Sequence, residues 1–212
     1  MKFLFENDDF PPVSEADVYG VVAFGGDLSS ERLISAYKKG IFPWYNEGEP
    51  ITWYSPDPRM VLFPSELKVS KSMRKVLREG KFKVTFNTSF EQVIHHCKRI
   101  FRSGDFGQTW ITDEMEQSYI ELHKKGIAKS VEVWENGVLV GGLYGIDLGT
   151  VFCGESMFSK VSNASKVAFI SLVRALEQEG YELIDCQVYN DHLASLGAVE
   201  IDRDQFLKYL PK

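Results

Sequence analysis

From residue 82 onward, hydrophobic and polar residues recur with the spacings typical of alternating strands and helices. In chain order the predicted elements are a strand at 82–86, a helix at 88–101, a helix that starts after Thr112 and closes at 124–126, strands at 130–135, 138–145 and 150–154, a helix at 163–179, a strand from 183 and a short helix through His192. Asn136 and Gly137 predict a two-residue hairpin turn. Gly141 and Gly142 lie inside a strand and predict a bulge or the close approach of another backbone.

Residues 1 to about 62 are instead rich in glycine, proline and aromatic residues. One helix is predicted there, after a cap at Ser29 or Ser30, and the Gly-Gly-Asp before it is interpreted as a turn. Four aromatic residues close to prolines are predicted to lie on irregular backbone: Trp44, Tyr45, Trp53 and Tyr54. Such a ring either fills the core or, on a rigid loop, offers a platform on which a nucleobase can stack.

The strand that starts at residue 183 is apolar except for Asp185 and Gln187. Residues two apart in a strand share a face, so these two polar side chains are expected to point the same way. A buried carboxylate without a partner is costly, so Asp185 must be hydrogen-bonded or face a cleft. Both interpretations, a carboxylate bonded to backbone amides and a functional one, remain open at this point.

A second polar feature is a basic helix predicted over 70–81. Spacings of three and four residues place its cations along one flank: Lys71, Arg74, Lys75 and Arg78. On a chain with a formal net charge of -6, this is a concentrated positive stripe. It is either a solvated helix face or a local site for phosphate groups.

The composition limits the class of protein. An apolar share of 44% and a charged share of 25% are ordinary for a soluble globular protein, and the net negative charge argues against a protein that coats nucleic acid nonspecifically. The first residues do not resemble a signal peptide and no apolar run is long enough to span a membrane, so we expect a cytoplasmic location. We predict a small domain over 1–62 and a second domain over 63–212. The cysteines, at 97, 153 and 186, are interpreted as reduced thiols, and no Cys/His spacing predicts a metal site.

The element order from residue 82, β-α-α-β-β-β-α-β-α, is that of an N-acetyltransferase-like (GNAT) sheet. We therefore predict an α/β (α+β) protein with a GNAT-like mixed sheet, flanking helices and a small N-terminal α+β domain. In such a sheet the fourth and fifth strands splay apart, which would bring Glu155, Asp185 and Gln187 to one cleft. Apolar residues beside them would form a pocket suited to a small acyl group: Phe152, Met157 and Phe158.

Three functions compete on these residues. A CoA-dependent acetyltransferase fits the element order, but the segment 156–166 lacks the glycine-rich turn that such enzymes use to bind pyrophosphate. A thiol hydrolase would use Cys186 and His192, although the strand pattern places Cys186 on the apolar side. An RNA-binding module would use the basic helix and the aromatic residues, but it leaves Glu155, Asp185 and Gln187 without a role.

Several motifs together resemble the leucyl/phenylalanyl-tRNA-protein transferases: GGDLS, GIFPWY, SPDPR, TWIT, FCGESMFS, NASK and IDCQVYNDHLASLGA. This resemblance spans residues 25–198. It implies transfer of Leu or Phe, and also Met, from aminoacyl-tRNA to a protein that begins with Arg or Lys, which marks that protein for degradation in the N-degron pathway. It also implies an enzyme that acts without CoA, metal or ATP. We expect a monomer.

The resemblance further assigns individual residues. It implies that Trp44 and Trp110 hold the terminal adenosine of the tRNA, and that the basic helix receives the acceptor stem. The floor of the amino-acid pocket is implied to consist of Leu143, Phe152 and the segment 154–158, which includes Met157. The polar centre is implied to consist of Glu155, Asp185, Gln187 and Asn190. Two proton routes remain open: Asp185 acting through Gln187, or a tRNA hydroxyl or water.

Overall fold

A computed structural model describes residues 2–6, 8–100 and 110–211. The predicted end of the helix at 88–101, Phe101, and the first residue of the TWIT motif, Thr109, lie outside the described residues. The described chain contains a four-stranded sheet and a seven-stranded sheet. The four-stranded sheet is built from the first part of the chain, and the cleft described below lies in the seven-stranded one.

The small sheet has the strand order β1-β2-β4-β3. Its strands are Lys2–Leu4 (β1), Val21–Gly25 (β2), Phe42–Pro43 (β3) and Thr52–Tyr54 (β4), and helix α1 spans Ser30–Lys38. The Ser29 side chain accepts a hydrogen bond from the Arg32 amide, so the predicted cap is confirmed. Gly25 and Gly26 have φ values of 76° and 78°, which agrees with the predicted turn before α1.

The prediction of irregular backbone was wrong for Trp53 and Tyr54, which lie on β4. The Trp53 ring is fully buried and donates a hydrogen bond of 2.8 Å from Nε1 to the carbonyl oxygen of Gly25. This ring is therefore part of the core, because an indole without exposed surface cannot stack on a ligand. Trp44, just after β3, is 44% exposed.

The large sheet has the strand order β11-β5-β10-β9-β8-β7-β6. Its strands are Arg59–Leu62 (β5), Lys83–Phe86 (β6), Ala128–Glu135 (β7), Val138–Asp147 (β8), Val151–Ser159 (β9), Leu183–Gln187 (β10) and Val199–Ile201 (β11). The remaining helices are Lys71–Glu79 (α2), Phe90–Arg99 (α3), Asp113–Lys124 (α4), Ala164–Gln178 (α5), Asp191–Ala194 (α6) and Arg203–Phe206 (α7). The predicted succession from residue 82 and the GNAT-like mixed sheet with flanking helices are confirmed.

Strand β5 was not predicted, although it matters for the site. It pairs antiparallel with both β10 and β11, so residues just before the predicted boundary at 62 belong to the large sheet. The division into domains 1–62 and 63–212 itself stays a prediction. Strand β9 also extends beyond its predicted end at 154, because its residues keep pairing with β8 as far as Ser159.

Two hydrophobic cores cover the two faces of the large sheet. One contains the apolar face of α5, and the other contains side chains of α1, α3, α4 and the small sheet. Full burial of one large apolar side chain contributes about 1.5 to 3 kcal/mol to the free energy of folding. Both cores therefore stabilise the packing of the helices against the sheet. Close contact with α5 explains Gly141, because a Cβ atom there would lie 2.6 Å from the Cβ of Ala164.

Candidate active site

The cleft lies where β9 and β10 diverge. These strands pair in parallel from Leu183 opposite Val151 to Asp185 opposite Cys153. Beyond that point β9 runs on to Ser159 while β10 ends at Gln187, so the two strands no longer pair. The gap opens into a cavity of about 440 Å³, as the predicted splay requires.

A bulge in β9 places Glu155 in this cleft. In the pairing with β8, Gly145 lies opposite Gly154 and Tyr144 lies opposite Ser156, so Glu155 is the extra residue. A Cβ atom at Gly145 would lie 2.2 Å from the carbonyl oxygen of Cys153, so the bulge depends on a glycine at this position. The strand predicted from the sequence ends at 154, so the bulge was not predicted.

A second irregularity, in β10, directs Gln187 toward Glu155. Gln187 has a φ of 65°, and the pairing with β5 shifts between Asp185 and Gln187. Asp185 Oδ1 accepts a hydrogen bond of 2.9 Å from the Gln187 amide nitrogen. The side chain of Gln187 then donates a hydrogen bond of 2.8 Å from Nε2 to Glu155 Oε1. The structure therefore brings the three predicted polar residues together, although by bulges and not by regular alternation.

Two tyrosines missed by the sequence analysis complete the surroundings of Glu155. The Tyr119 hydroxyl of α4 donates a hydrogen bond of 3.0 Å to Glu155 Oε2. The hydroxyl of Tyr37, on α1, is hydrogen-bonded to the hydroxyl of Tyr119. Both rings are buried and lie in the apolar stripes of their helices, so no sequence signal distinguishes them from ordinary core residues. The chain of hydroxyls links the first part of the protein to the cleft.

These neighbours set the protonation of Glu155. The pKa of the Glu155 carboxyl is raised from 4.5 to about 7, and burial is the largest cause. Hydrogen bonds from the two tyrosine hydroxyls lower this pKa, the negative charge of Asp185 raises it, and the positive charge of Arg59 lowers it. Because the resulting pKa is close to neutral, Glu155 can both take up and release a proton near pH 7.

Arg59, also missed by the sequence analysis, is the partner of Asp185. Its Nε donates a hydrogen bond of 2.8 Å to Asp185 Oδ1, and its Nη2 donates one of 2.6 Å to Oδ2. The side chains of Arg59 and Asp185 are only 1% and 0% exposed. The buried carboxylate predicted from the sequence is thus paired with a buried guanidinium as well as with a backbone amide. Only pairing of β5 with β10 reveals this contact, because the two residues are far apart in the chain.

The apolar pocket lies beside the polar groups. Its predicted lining, Leu143, Phe152, Met157 and Phe158, borders the cavity, and Leu143 is paired directly with Met157 across β8 and β9. Phe169, Leu172 and Ile184 extend the same lining. Without a charged group among these side chains, the pocket suits an apolar substituent.

Three further predicted residues border the same cavity. Trp44 and Trp110 both line it, and the exposed edge of Trp44 places this residue at the rim. The ring centroids of Trp44 and Tyr54 are 5.7 Å apart, so the Trp44 ring is supported on one side. Asn190 also lines the cavity, while its Oδ1 accepts a hydrogen bond from the Leu193 amide and so caps α6.

The basic helix is confirmed as α2, and three of its four predicted cations lie together. Lys71, Arg74 and Arg78 line one depression with Leu77 and with Arg174, which projects from α5. Lys75 is not part of this lining and lies 3.9 Å from Glu79 on the same helix. Arg174 was missed because it is remote from α2 in sequence and lies on a helix whose pattern is mainly apolar.

The cysteines do not offer an activated nucleophile. Cys97 and Cys153 are buried, and Cys186 is partly buried beside the cavity. Burial raises the pKa of both the Cys153 and the Cys186 thiol, and the charge of Asp185 raises it further, which disfavours a thiolate at either position. Among the residues with described positions, no cluster of His, Cys, Asp and Glu could hold a metal ion. No helix among the described residues is long and apolar enough to cross a membrane.

The sheet topology and the cleft define a GNAT-like α/β protein whose apolar pocket ends at a titratable carboxylate. Profiles of two domain families match the chain: the leucyl/phenylalanyl-tRNA protein transferase at residues 61–211 and its N-terminal domain at residues 26–57. The chain therefore belongs to the leucyl/phenylalanyl-tRNA protein transferase family, whose members are aminoacyltransferases.

Close relatives cover the whole chain. A leucyl/phenylalanyl-tRNA–protein transferase from Flavobacterium johnsoniae is 66% identical over 210 residues, which cover 99% of each chain. One from Christiangramia forsetii is 61% identical over 212 residues, covering 99% of this chain and 100% of the relative. Among solved structures, an aminoglycoside acetyltransferase from a soil metagenomic sample aligns with a TM-score of 0.41 and 14% identity, covering 63% of this chain and 90% of that chain.

Proposed function

We propose that this protein transfers Leu or Phe, and also Met, from aminoacyl-tRNA to the α-amine of a protein that begins with Arg or Lys. The observation that carries this proposal is the position of the apolar pocket, which ends beside the Glu155–Gln187 pair. An aminoacyl side chain in the pocket would leave its ester carbonyl near a group that can accept a proton. Membership of the leucyl/phenylalanyl-tRNA protein transferase family supports Leu or Phe on tRNA as the donor and a protein as the acceptor.

The chemistry needs little beyond positioning and one proton acceptor. The aminoacyl ester is already activated, so a neutral amine can attack the carbonyl carbon and form the new C–N bond. The tetrahedral intermediate then collapses as the bond to the tRNA ribose oxygen breaks. The amine loses a proton and the leaving oxygen gains one. Glu155, with a pKa of about 7, is the group that we assign to accept this proton. No cofactor is required by this scheme.

We assign acceptor selectivity to the same carboxylate. Asp185 and Glu155 both border the cavity, but the charge of Asp185 is already neutralised by Arg59. This leaves Glu155 to attract a cationic amino terminus or an Arg or Lys side chain. Acceptors that begin with Asp or Glu would bring a second negative charge into a low-dielectric site, which is strongly unfavourable.

We propose that two further surfaces bind the tRNA. Trp44 and Trp110 at the rim of the cavity would stack on the terminal adenosine. Lys71, Arg74 and Arg78, joined by Arg174, would contact phosphates of the acceptor stem. The sequence analysis also assigned Lys75 to this surface, although it does not line the same depression. We also propose that the protein is a monomer in the cytoplasm, and that the transfer marks the acceptor protein for degradation in the N-degron pathway.

Transfer of labelled Leu from Leu-tRNA to model peptides tests the proposal directly. Peptides that differ only at the first residue, with Arg, Lys, Ala or Asp, form a matched series. We expect transfer to the Arg and Lys peptides and at least 100-fold slower transfer to the Asp peptide. Labelled Arg-tRNA serves as the donor control, because the apolar pocket offers no partner for a buried charge. Equal transfer from Arg-tRNA, or good turnover of the Asp peptide, would refute the assignment.

A further inference from the structure

Arg59 is held in an unusual enclosure below the cleft. Its guanidinium lies over the ring of Phe42, at 4.8 Å from the centroid, and over the ring of Phe206, at 4.6 Å. Phe42 comes from β3 of the small sheet, and Phe206 ends α7 near the end of the chain. Two separate parts of the chain therefore fix one cation against β10, where its charge is balanced by Asp185.

Asp185 has both carboxylate oxygens occupied. Oδ2 accepts from Arg59 Nη2, while Oδ1 accepts from both Arg59 Nε and the Gln187 amide nitrogen. Glu155 also accepts hydrogen bonds at both oxygens, but it is only partly buried. The Asp185 side chain is fully buried, so a substrate amine could reach it only by displacing one of its donors. The geometry suits Asp185 to orienting its neighbours and not to receiving a proton from the substrate.

The neighbour that it orients is Gln187. A φ of 65° is unfavourable by about 1 kcal/mol or more for a residue with a side chain, so this backbone needs a local partner. The hydrogen bond from the Gln187 amide to Asp185 supplies that partner. Only in this bulged conformation does the Gln187 side chain extend across the cleft and donate to Glu155.

We propose that Arg59 is a positioning residue for aminoacyl transfer: by clamping Asp185, it sets the backbone of Gln187 and so aims the Gln187 amide at Glu155. This inference rests on the proposed function. It assigns Asp185 to the same clamp, so the proton of the attacking amine does not pass to Asp185. Arg59 and Asp185 thus act through Gln187, while Glu155 and Gln187 face the substrates.

A matched pair of double variants tests the clamp: Arg59→Met with Asp185→Asn, and Arg59→Met with Asp185→Leu. Both remove the buried ion pair as a unit, which avoids leaving one buried charge without its partner. Asn and Leu have similar size, but only Asn can accept the hydrogen bond from the Gln187 amide. We expect the Asn variant to transfer Leu about 10-fold more slowly than wild type, and the Leu variant a further 10- to 100-fold more slowly.

The readouts separate this role from a purely structural one. Single-turnover transfer is measured with saturating Leu-tRNA and an Arg peptide, together with tRNA affinity and melting temperature. We expect the loss in kcat, with unchanged tRNA affinity and similar melting temperatures for the two double variants. Equal transfer rates for the Asn and Leu variants would overturn the proposal. So would a loss of transfer that merely follows a loss of melting temperature.

The pH profile provides an independent readout from the single variants. Removing the charge of Arg59 with Arg59→Met should move the acidic limb of the transfer rate to higher pH, because a cation near Glu155 is lost. Asp185→Asn should move this limb to lower pH, because a neighbouring anion is lost. The titratable or charged groups that interact with Glu155 are Tyr37, Tyr119, Cys153, Asp185 and Arg59. Shifts in the same direction, or no shifts, would contradict the clamp.

A milder variant protects the test against loss of folding. Arg59→Lys keeps the buried positive charge but loses the planar two-donor contact with Asp185. We expect a folded protein with a kcat about 10-fold lower and an unchanged KM for the peptide. Wild-type kcat in the Lys variant would overturn the proposal. Failure of the wild-type protein itself to transfer Leu would instead refute the proposed function.

Discussion

Replacement of Tyr119 by Phe should change the pH dependence of transfer in a defined direction. This substitution removes the hydroxyl that donates a hydrogen bond of 3.0 Å to Glu155 Oε2, and it keeps the buried ring. The hydrogen bond lowers the pKa of Glu155, so its loss should raise that pKa above the wild-type value of about 7. A hydrogen bond to a charged group is worth about 1.5 to 3 kcal/mol, and one pKa unit corresponds to 1.36 kcal/mol.

These magnitudes predict a shift of about one to two pH units. In the proposed mechanism Glu155 must be ionised before it can accept a proton. At pH 7, where half of the wild-type Glu155 is ionised, the Tyr119→Phe variant should therefore be about 5- to 50-fold slower than wild type, and the difference should fall to about twofold or less at pH 9. The assay is single-turnover transfer of Leu to an Arg peptide between pH 6 and 9, with saturating Leu-tRNA.

The acceptor amine also titrates near pH 8, so a control must remove that contribution. Glu155→Gln has no ionisable group at this position and should retain only the limb due to the amine, at a greatly reduced rate. Tyr37→Phe removes the other hydroxyl that lowers the pKa of Glu155 and should shift the limb in the same direction as Tyr119→Phe. An acidic limb that stays at the wild-type pH in Tyr119→Phe would refute the assignment of Glu155 as the titrating group.

Three further predictions follow from the same contacts. Because the pKa of Glu155 is raised from 4.5 to about 7 in the folded protein, the free energy of unfolding should decrease as pH rises through this window. Glu155→Gln should therefore raise the melting temperature at pH 8 but not at pH 4, because it raises the free energy of unfolding at pH 8 by about 1 to 3 kcal/mol. A lower melting temperature of this variant at pH 8 would contradict the prediction. Arg74→Ala and Arg174→Ala should each lower the slope of log tRNA affinity against log salt by about 0.7 to 0.9. Lys75→Ala, outside the depression, is the matched control, and equal slopes in all three variants would argue against a phosphate site. Trp44→Ala should weaken tRNA binding by about 1 to 3 kcal/mol without changing the salt slope, and a changed slope would argue against stacking.

The succession of strands and helices from residue 82 could be predicted from the sequence, because periodicity, caps and turns are local properties. Thr112 and Ser29 cap their helices as predicted, and Asn136 and Gly137 form the predicted turn. The acidic and amide residues of the cleft could also be predicted as a group. Polar side chains inside an otherwise apolar strand need a partner or a cavity, and this requirement is visible in the sequence.

Other properties depended on contacts between distant segments. The partner of Asp185 is Arg59, and this pairing exists only because β5 joins the sheet beside β10. The near-neutral pKa of Glu155 likewise depends on its burial and on tyrosines from α1 and α4. Two β-bulges, at Glu155 and before Gln187, determine where these side chains point, and a bulge replaces the regular alternation on which a sequence pattern relies.

The sequence by itself therefore determined the order of the elements, the basic face of α2 and the presence of a polar centre in an apolar strand, since each is a matter of local spacing. The tertiary structure decided which of these groups meet. It joined Arg174 to the cations of α2 and excluded Lys75 from their depression. It also set the charge balance around Glu155, because electrostatic interactions act over ångströms in space and not over positions in the chain.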